Sequence, residues 1–170
     1  MKYSEIYSTD FINKVNEIKS EAATGIIADQ EITKNFIDIE DMLKQLGFSI
    51  IKDDHLPVSG RIDGETILID SSENQARQRF SMAHELGHAV LHQRAANRTD
   101  HNDGYSLEER SSEVFANTFA SQLLMPRNLV KKLLGEIIQR HGYNPKRITN
   151  IEFSAHFRIK LATVSKFFGQ

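Results

Sequence analysis

Apolar residues recur at helical spacing along most of this chain and take up a strand-like pattern only in one middle stretch. Phe11, Ile12, Val15 and Ile18 predict an amphipathic helix within residues 8–22. Phe36, Ile39, Leu43 and Leu46 predict a second over 31–46, with Gly47 as its C-terminal stop. The period then changes. Phe48-Ser49-Ile50-Ile51 reads as a short strand, and the runs 60–62 and 65–70, separated by Asp63-Gly64, read as a hairpin. Helical spacing resumes at Phe80, Ala83, Leu86, Val90 and Leu91, after a polar start in which Ser72 fits an N-cap and Gln75 its capping-box partner. A second capping box, Ser106-Leu107-Glu108-Glu109, opens a helix with the stripe Phe115, Ala116, Phe119, Ala120, Leu123 and Leu124. Pro126 suits the first turn of another helix, with Leu129, Val130, Leu133, Leu134, Ile137 and Ile138 inward and Gly142 as its stop. Phe157, Ile159, Leu161, Val164 and Phe167 fit two further short packed helices. The expectation is a mainly helical α+β fold with a small sheet packed on the helix that contains residues 80–91. It is read as one domain over 1–170: N-terminal helices in 1–47, the sheet and its neighbouring helices in 48–126, and C-terminal helices in 127–170.

Composition narrows the chemistry. The chain has 170 residues, enough for a sizeable core, and its 39% hydrophobic and 26% charged content is that of a soluble globular protein. There is no cysteine, which excludes disulfides, a thiol nucleophile and a thiolate-bound zinc. Any metal must be held by imidazoles and carboxylates, a donor set that suits a catalytic site better than a structural one. Neither a signal-peptide core nor a run of membrane-spanning length is present, so a cytoplasmic protein without membrane association is expected. The formal net charge of -2 argues against direct nucleic-acid binding.

The candidate chemistry lies in His84-Glu85-Leu86-Gly87-His88. Residues four apart share a helix face, so His84 and His88 can grip one divalent ion together. Glu85 lies about 100° round the helix and is better placed as a general base beside the ion than as a third ligand. Catalytic zinc needs a third protein ligand and one open position. His92 is unsuitable, because in an unbroken helix it stands roughly 12 Å along the axis from His84. Glu113 is the better candidate: it falls three residues before Ala116, at the edge of the next helix's apolar stripe. Asn117, one turn on, is a candidate to orient its carboxylate, and Glu109 is the competing ligand. His101 and Tyr105, in the polar segment after His92, are candidates for stabilising an oxyanion.

Arg79-Phe80 before the His-Glu-x-x-His pattern, then Glu113-x-x-Ala116-Asn117-x-Phe119-Ala120 and Leu123-Leu124-Met125-Pro126, together resemble the ImmA/IrrE family of metallopeptidases. The likeness covers roughly residues 30 to 165. It implies a metallopeptidase-like domain with His84, His88 and Glu113 as Zn2+ ligands and Glu85 as general base. The implied activity is cleavage of a protein substrate, a helix-turn-helix repressor of a mobile element or stress operon. Arg158 and Lys160 stand where the family tends to have Gly and Ser, which bears on the turn between the last two helices. A different class of function is a zinc-containing anti-repressor or toxin–antitoxin partner that acts by complex formation without cleavage.

Overall fold

The computed structural model describes residues 1–91 and 107–141. In order, these form α1 (Tyr3–Ile6), α2 (Thr9–Asn16), α3 (Ile39–Gln45), β1 (Ser49–Asp53), β2 (Gly60–Asp63), β3 (Thr66–Asp70), α4 (Gln75–Val90), α5 (Leu107–Leu124) and α6 (Arg127–His141). The fold is the expected helical α+β arrangement. The C-terminal helical pair expected in 151–168 lies outside the described residues.

The three strands are ordered β1-β3-β2, with β1 parallel and β2 antiparallel to β3. Ile67 and Ile69 of the central strand are fully buried, while their neighbours are half-exposed, so the alternation in sequence does place one face inward. The hairpin turn differs by one residue from expectation. Asp63 pairs with Thr66 inside the ladder, and the loop is Gly64-Glu65, with Gly64 at φ 57°, a left-handed value that glycine tolerates.

Three helix boundaries also differ. Asn74, not Ser72, caps α4: its side-chain oxygen accepts from the Arg77 N–H at 3.0 Å. Ser72 instead turns back to Asp70, donating through both its backbone N–H and its hydroxyl. The helix expected over 31–46 occupies only Ile39–Gln45. Arg79 donates to the Ile37 carbonyl at 2.6 Å, and the Asp38 carboxylate accepts from the Asp41 N–H at 3.3 Å. Both groups of the preceding helical bond are thus taken, and the helix begins one residue after Asp38. Gly47 does terminate it, at φ 89°. In the first region α2 stops at Asn16, though Ile12, Val15 and Ile18 are all buried as expected.

These elements build one core. Met82, Leu86 and Ala89 of α4 are buried with Ile67 and Ile69 beneath them, Met42 and Leu43 of α3, and Leu123 and Leu124 of α5. A line of stacked rings, Tyr3, Tyr7, Phe11, Phe119 and Phe115, joins the N-terminal helices to α5. Tyr7 fixes that junction by donating its hydroxyl to the Leu123 carbonyl at 2.5 Å.

Candidate metal centre

Helix α4 lies between the sheet and α5, and each side carries part of the site. On the α5 side, Gly87 meets Ala116 so closely that a β-carbon on the glycine would stand 2.9 Å from the Ala116 Cα. That approach is what two small residues allow. Glu113, one turn before Ala116, is thereby brought to the imidazoles. His84 Nε2 lies 3.3 Å from one Glu113 oxygen, and His88 Nε2 lies 3.2 Å from the other. The two Nε2 atoms are 3.1 Å apart.

The donor set passes a geometric test for a small tetrahedral ion. Bonds of about 2.1 Å at tetrahedral angles put neighbouring donor atoms roughly 3.4 Å apart. The observed 3.1–3.3 Å separations match that figure within a few tenths. His88 is buried, the His84 side chain is 12% exposed and that of Glu113 is 30% exposed, so the centre is closed from beneath and open on one side. A divalent ion would supply the positive charge that these converging acceptors are arranged to meet.

On the sheet side of α4, Glu85 is 2% exposed. A β-carbon on Gly60 of β2 would fall 3.4 Å from the Glu85 Cγ and 3.3 Å from the Ser81 Cβ. β2 therefore packs against the stem of Glu85 without a side chain between them. A cavity of about 250 Å³ opens between β2, α4 and α5, and His84, Glu85 and Glu113 all line it. Thus the structure brings His84, Glu85, His88 and Glu113 together. Asn117 lines the same cavity and is exposed. Glu109 stands one turn before Glu113, outside the cluster of converging donors. His92, His101 and Tyr105 lie outside the described residues.

Sequence reasoning passed over Arg77, Ser81, Ser59 and Gly60, which also wall the cavity. Arg77, Ser81 and Glu85 recur every four residues on α4, a signal visible in the sequence. For Ser59 and Gly60 no local signal exists, because only the packing of the hairpin sets them beside the helix.

Two stacked histidines, a carboxylate from the neighbouring helix and a separate buried glutamate form a metallopeptidase-type arrangement. The profile of the IrrE N-terminal-like domain, a peptidase family, matches residues 38–167, and the chain belongs to this ImmA/IrrE family. It is similar to the radiation response metalloprotease IrrE of Deinococcus radiodurans, at 38% identity over 87 residues, covering 49% of this chain and 25% of that protein. The uncharacterized immunity region protein 2 of Bacillus phage phi105 is 47% identical over 60 residues, covering 35% of this chain and 37% of that one. A solved Mycobacterium tuberculosis transcriptional regulator shares the fold, with a TM-score of 0.50 and 19% identity, over 95% of this chain and 48% of the regulator. The matches thus span a quarter to a half of these relatives' own lengths.

Proposed function

We propose that this chain is a zinc-dependent endopeptidase in which His84, His88 and Glu113 hold the ion and Glu85 is the general base. The convergence of three donor atoms beside a buried glutamate in one cavity carries this reading. Zinc, when bound there, supplies Lewis acidity toward the scissile carbonyl and toward water. Glu85 takes the proton of the attacking water as the carbon–oxygen bond forms, then gives it to the amine as the carbon–nitrogen bond breaks. Burial of Glu85 and the packing of its stem against Gly60 restrict that side chain, and helix α4 fixes its spacing from the imidazoles. Among the described residues β2 is an edge strand of the sheet and lies beside Glu85, a position that suits an extended substrate whose main chain is held by backbone hydrogen bonds. A helix-turn-helix repressor is the proposed substrate, supported by the family resemblance and by the relative from a phage immunity region.

The test is intact-mass and metal analysis of wild type and Glu85→Gln after incubation with the repressor encoded nearest to the gene. About one zinc per chain in both, with fragments from wild type alone, is the expected result. Cleavage by the Gln variant would remove Glu85 from its role. Zinc in both with an intact, stable complex and no fragments would favour sequestration of the repressor instead.

A further inference from the structure

Arg77 is the one permanently charged cation among the described residues lining the cavity. It stands in the first turn of α4, two turns before His84, and its guanidinium turns toward the sheet. Nη2 donates to the Ser59 hydroxyl at 2.9 Å and Nε to the same oxygen at 3.3 Å. The Ser59 hydroxyl donates to a Glu73 carboxylate oxygen at 2.9 Å, and the other Glu73 oxygen lies 3.3 Å from Arg77 Nε. These contacts lock one side of the guanidinium fork. Of its five N–H donors, the two on Nη1 and the second on Nη2 take no part in them.

Ser59 immediately precedes Gly60, the residue pressed on Glu85. The held guanidinium is therefore on the order of 10 Å from the proposed base, about three residues of extended peptide at roughly 3.3 Å each. Glu73 and Ser59 occupy the Nε side, so the remaining N–H groups form the paired edge that matches a carboxylate in two parallel bonds. A neutral carbonyl offers a single uncharged oxygen to that edge, a weaker partner than the two oxygens of a carboxylate. Phe80, half-buried on the same cavity wall, provides an apolar surface for the stem of such a side chain.

We propose that Arg77 is a specificity-determining residue that selects an acidic side chain in the substrate a few positions from the bond that is cut. This inference rests on the metallopeptidase reading. Its test uses fluorescein-labelled peptide hydroxamates, anchored at the metal, carrying Glu, Gln or Lys at each of the four residues next to the hydroxamate. Anisotropy titrations with the zinc-loaded protein compare wild type, Arg77→Lys, Arg77→Ala and Arg77→Glu. At one position wild type should prefer Glu over Gln by roughly tenfold, the size of a charge-assisted hydrogen bond that is partly solvated. Arg77→Lys should keep a reduced preference, Arg77→Ala should lose it, and Arg77→Glu should favour Lys at the same position. Unchanged zinc-dependent binding of acetohydroxamate, which has no side chain to reach Arg77, controls for folding across the variants. Equal affinity for Glu and Gln in wild type, or a Glu preference surviving in Arg77→Ala, overturns the inference while leaving the metal site standing. Failure of every peptide, and of plain acetohydroxamate, to bind in a zinc-dependent way overturns the metal reading and this inference with it.

Discussion

The Tyr7 hydroxyl donates to the carbonyl of Leu123, one of the last carbonyls of α5, which have no partner within their own helix. Tyr7→Phe leaves that carbonyl buried and unpaired, at an expected cost of about 1–3 kcal/mol by urea unfolding. Burial, reinforced by neighbouring Tyr3, holds the Tyr7 phenol well above its ordinary pKa of 10.0. Burial, with Asp41 and Asp38 nearby, pushes Tyr3 up to about 12. Both rings are thus kept neutral in the native state beyond the pH at which the unfolded chain ionises. Their contribution is complete below pH 10 and is lost as pH rises from 10 toward 12. Unfolding free energies measured across that window should fall steadily, and Tyr7→Phe should show a shallower decline from a lower starting value. A flat profile above pH 10 would contradict this account of the aromatic line.

At the scale of elements, the site depends on how closely α4 and α5 approach. Gly87 has no side chain where Ala116 backbone atoms would be only 2.9 Å from a β-carbon. Backbone cannot swing aside as a flexible side chain would, so Gly87→Ala must separate the helices or shift one along the other. Overpacking of this kind costs typically about 1–3 kcal/mol. The larger effect should fall on the metal: Glu113 rides on the same helix as Ala116, and movement of a few tenths of an ångström spoils the separations of 3.2 and 3.3 Å. Zinc affinity by competitive chelator titration is expected to drop at least tenfold, in line with the effect of disturbing the supports of metal ligands. Equal affinity in the two proteins would show that the helix contact does not set the site.

For the whole molecule, the candidate centre joins α4, of the sheet-packed layer, to α5, which the aromatic line ties to the N-terminal helices. An ion held there binds the native arrangement and not the dispersed chain, so it stabilises by mass action. At free zinc about a hundred times the dissociation constant the gain is roughly 2.7 kcal/mol, or several degrees in Tm for a chain of this size. A chelator should remove that increment from wild type. In Glu113→Ala, with one of the three proposed ligands gone, the difference between zinc and chelator should shrink to a small fraction. A full thermal shift in that variant would place the ion elsewhere. Asp38 adds a smaller pH effect at the acid end. Burial alone would raise its carboxyl, but hydrogen bonds from Lys34 and the Asp41 N–H, with the Lys34 and Arg79 charges, hold it below the ordinary value of 3.8. Its contribution is present above that value and is lost as pH falls below it.

What the sequence determined by itself was everything carried by one helix's period. The four-residue spacing stacked His84 on His88 and turned Glu85 aside, and the stripe beginning at Phe115 put Glu113 at the edge of an inward face. The hairpin was equally legible, apart from the one-residue placement of its turn at Gly64-Glu65. Tertiary structure decided the rest, because those choices depend on atoms distant along the chain. Arg79 took the Ile37 carbonyl across 42 residues and so shortened the helix read over 31–46 to Ile39–Gln45. Insertion of β3 between β1 and β2 set Gly60 against Glu85, and Gly87 against Ala116 brought Glu113 to the imidazoles. Local periodicity fixes which face of a helix carries a donor; the distance between donors on different helices is fixed only by the size of the residues where those helices touch.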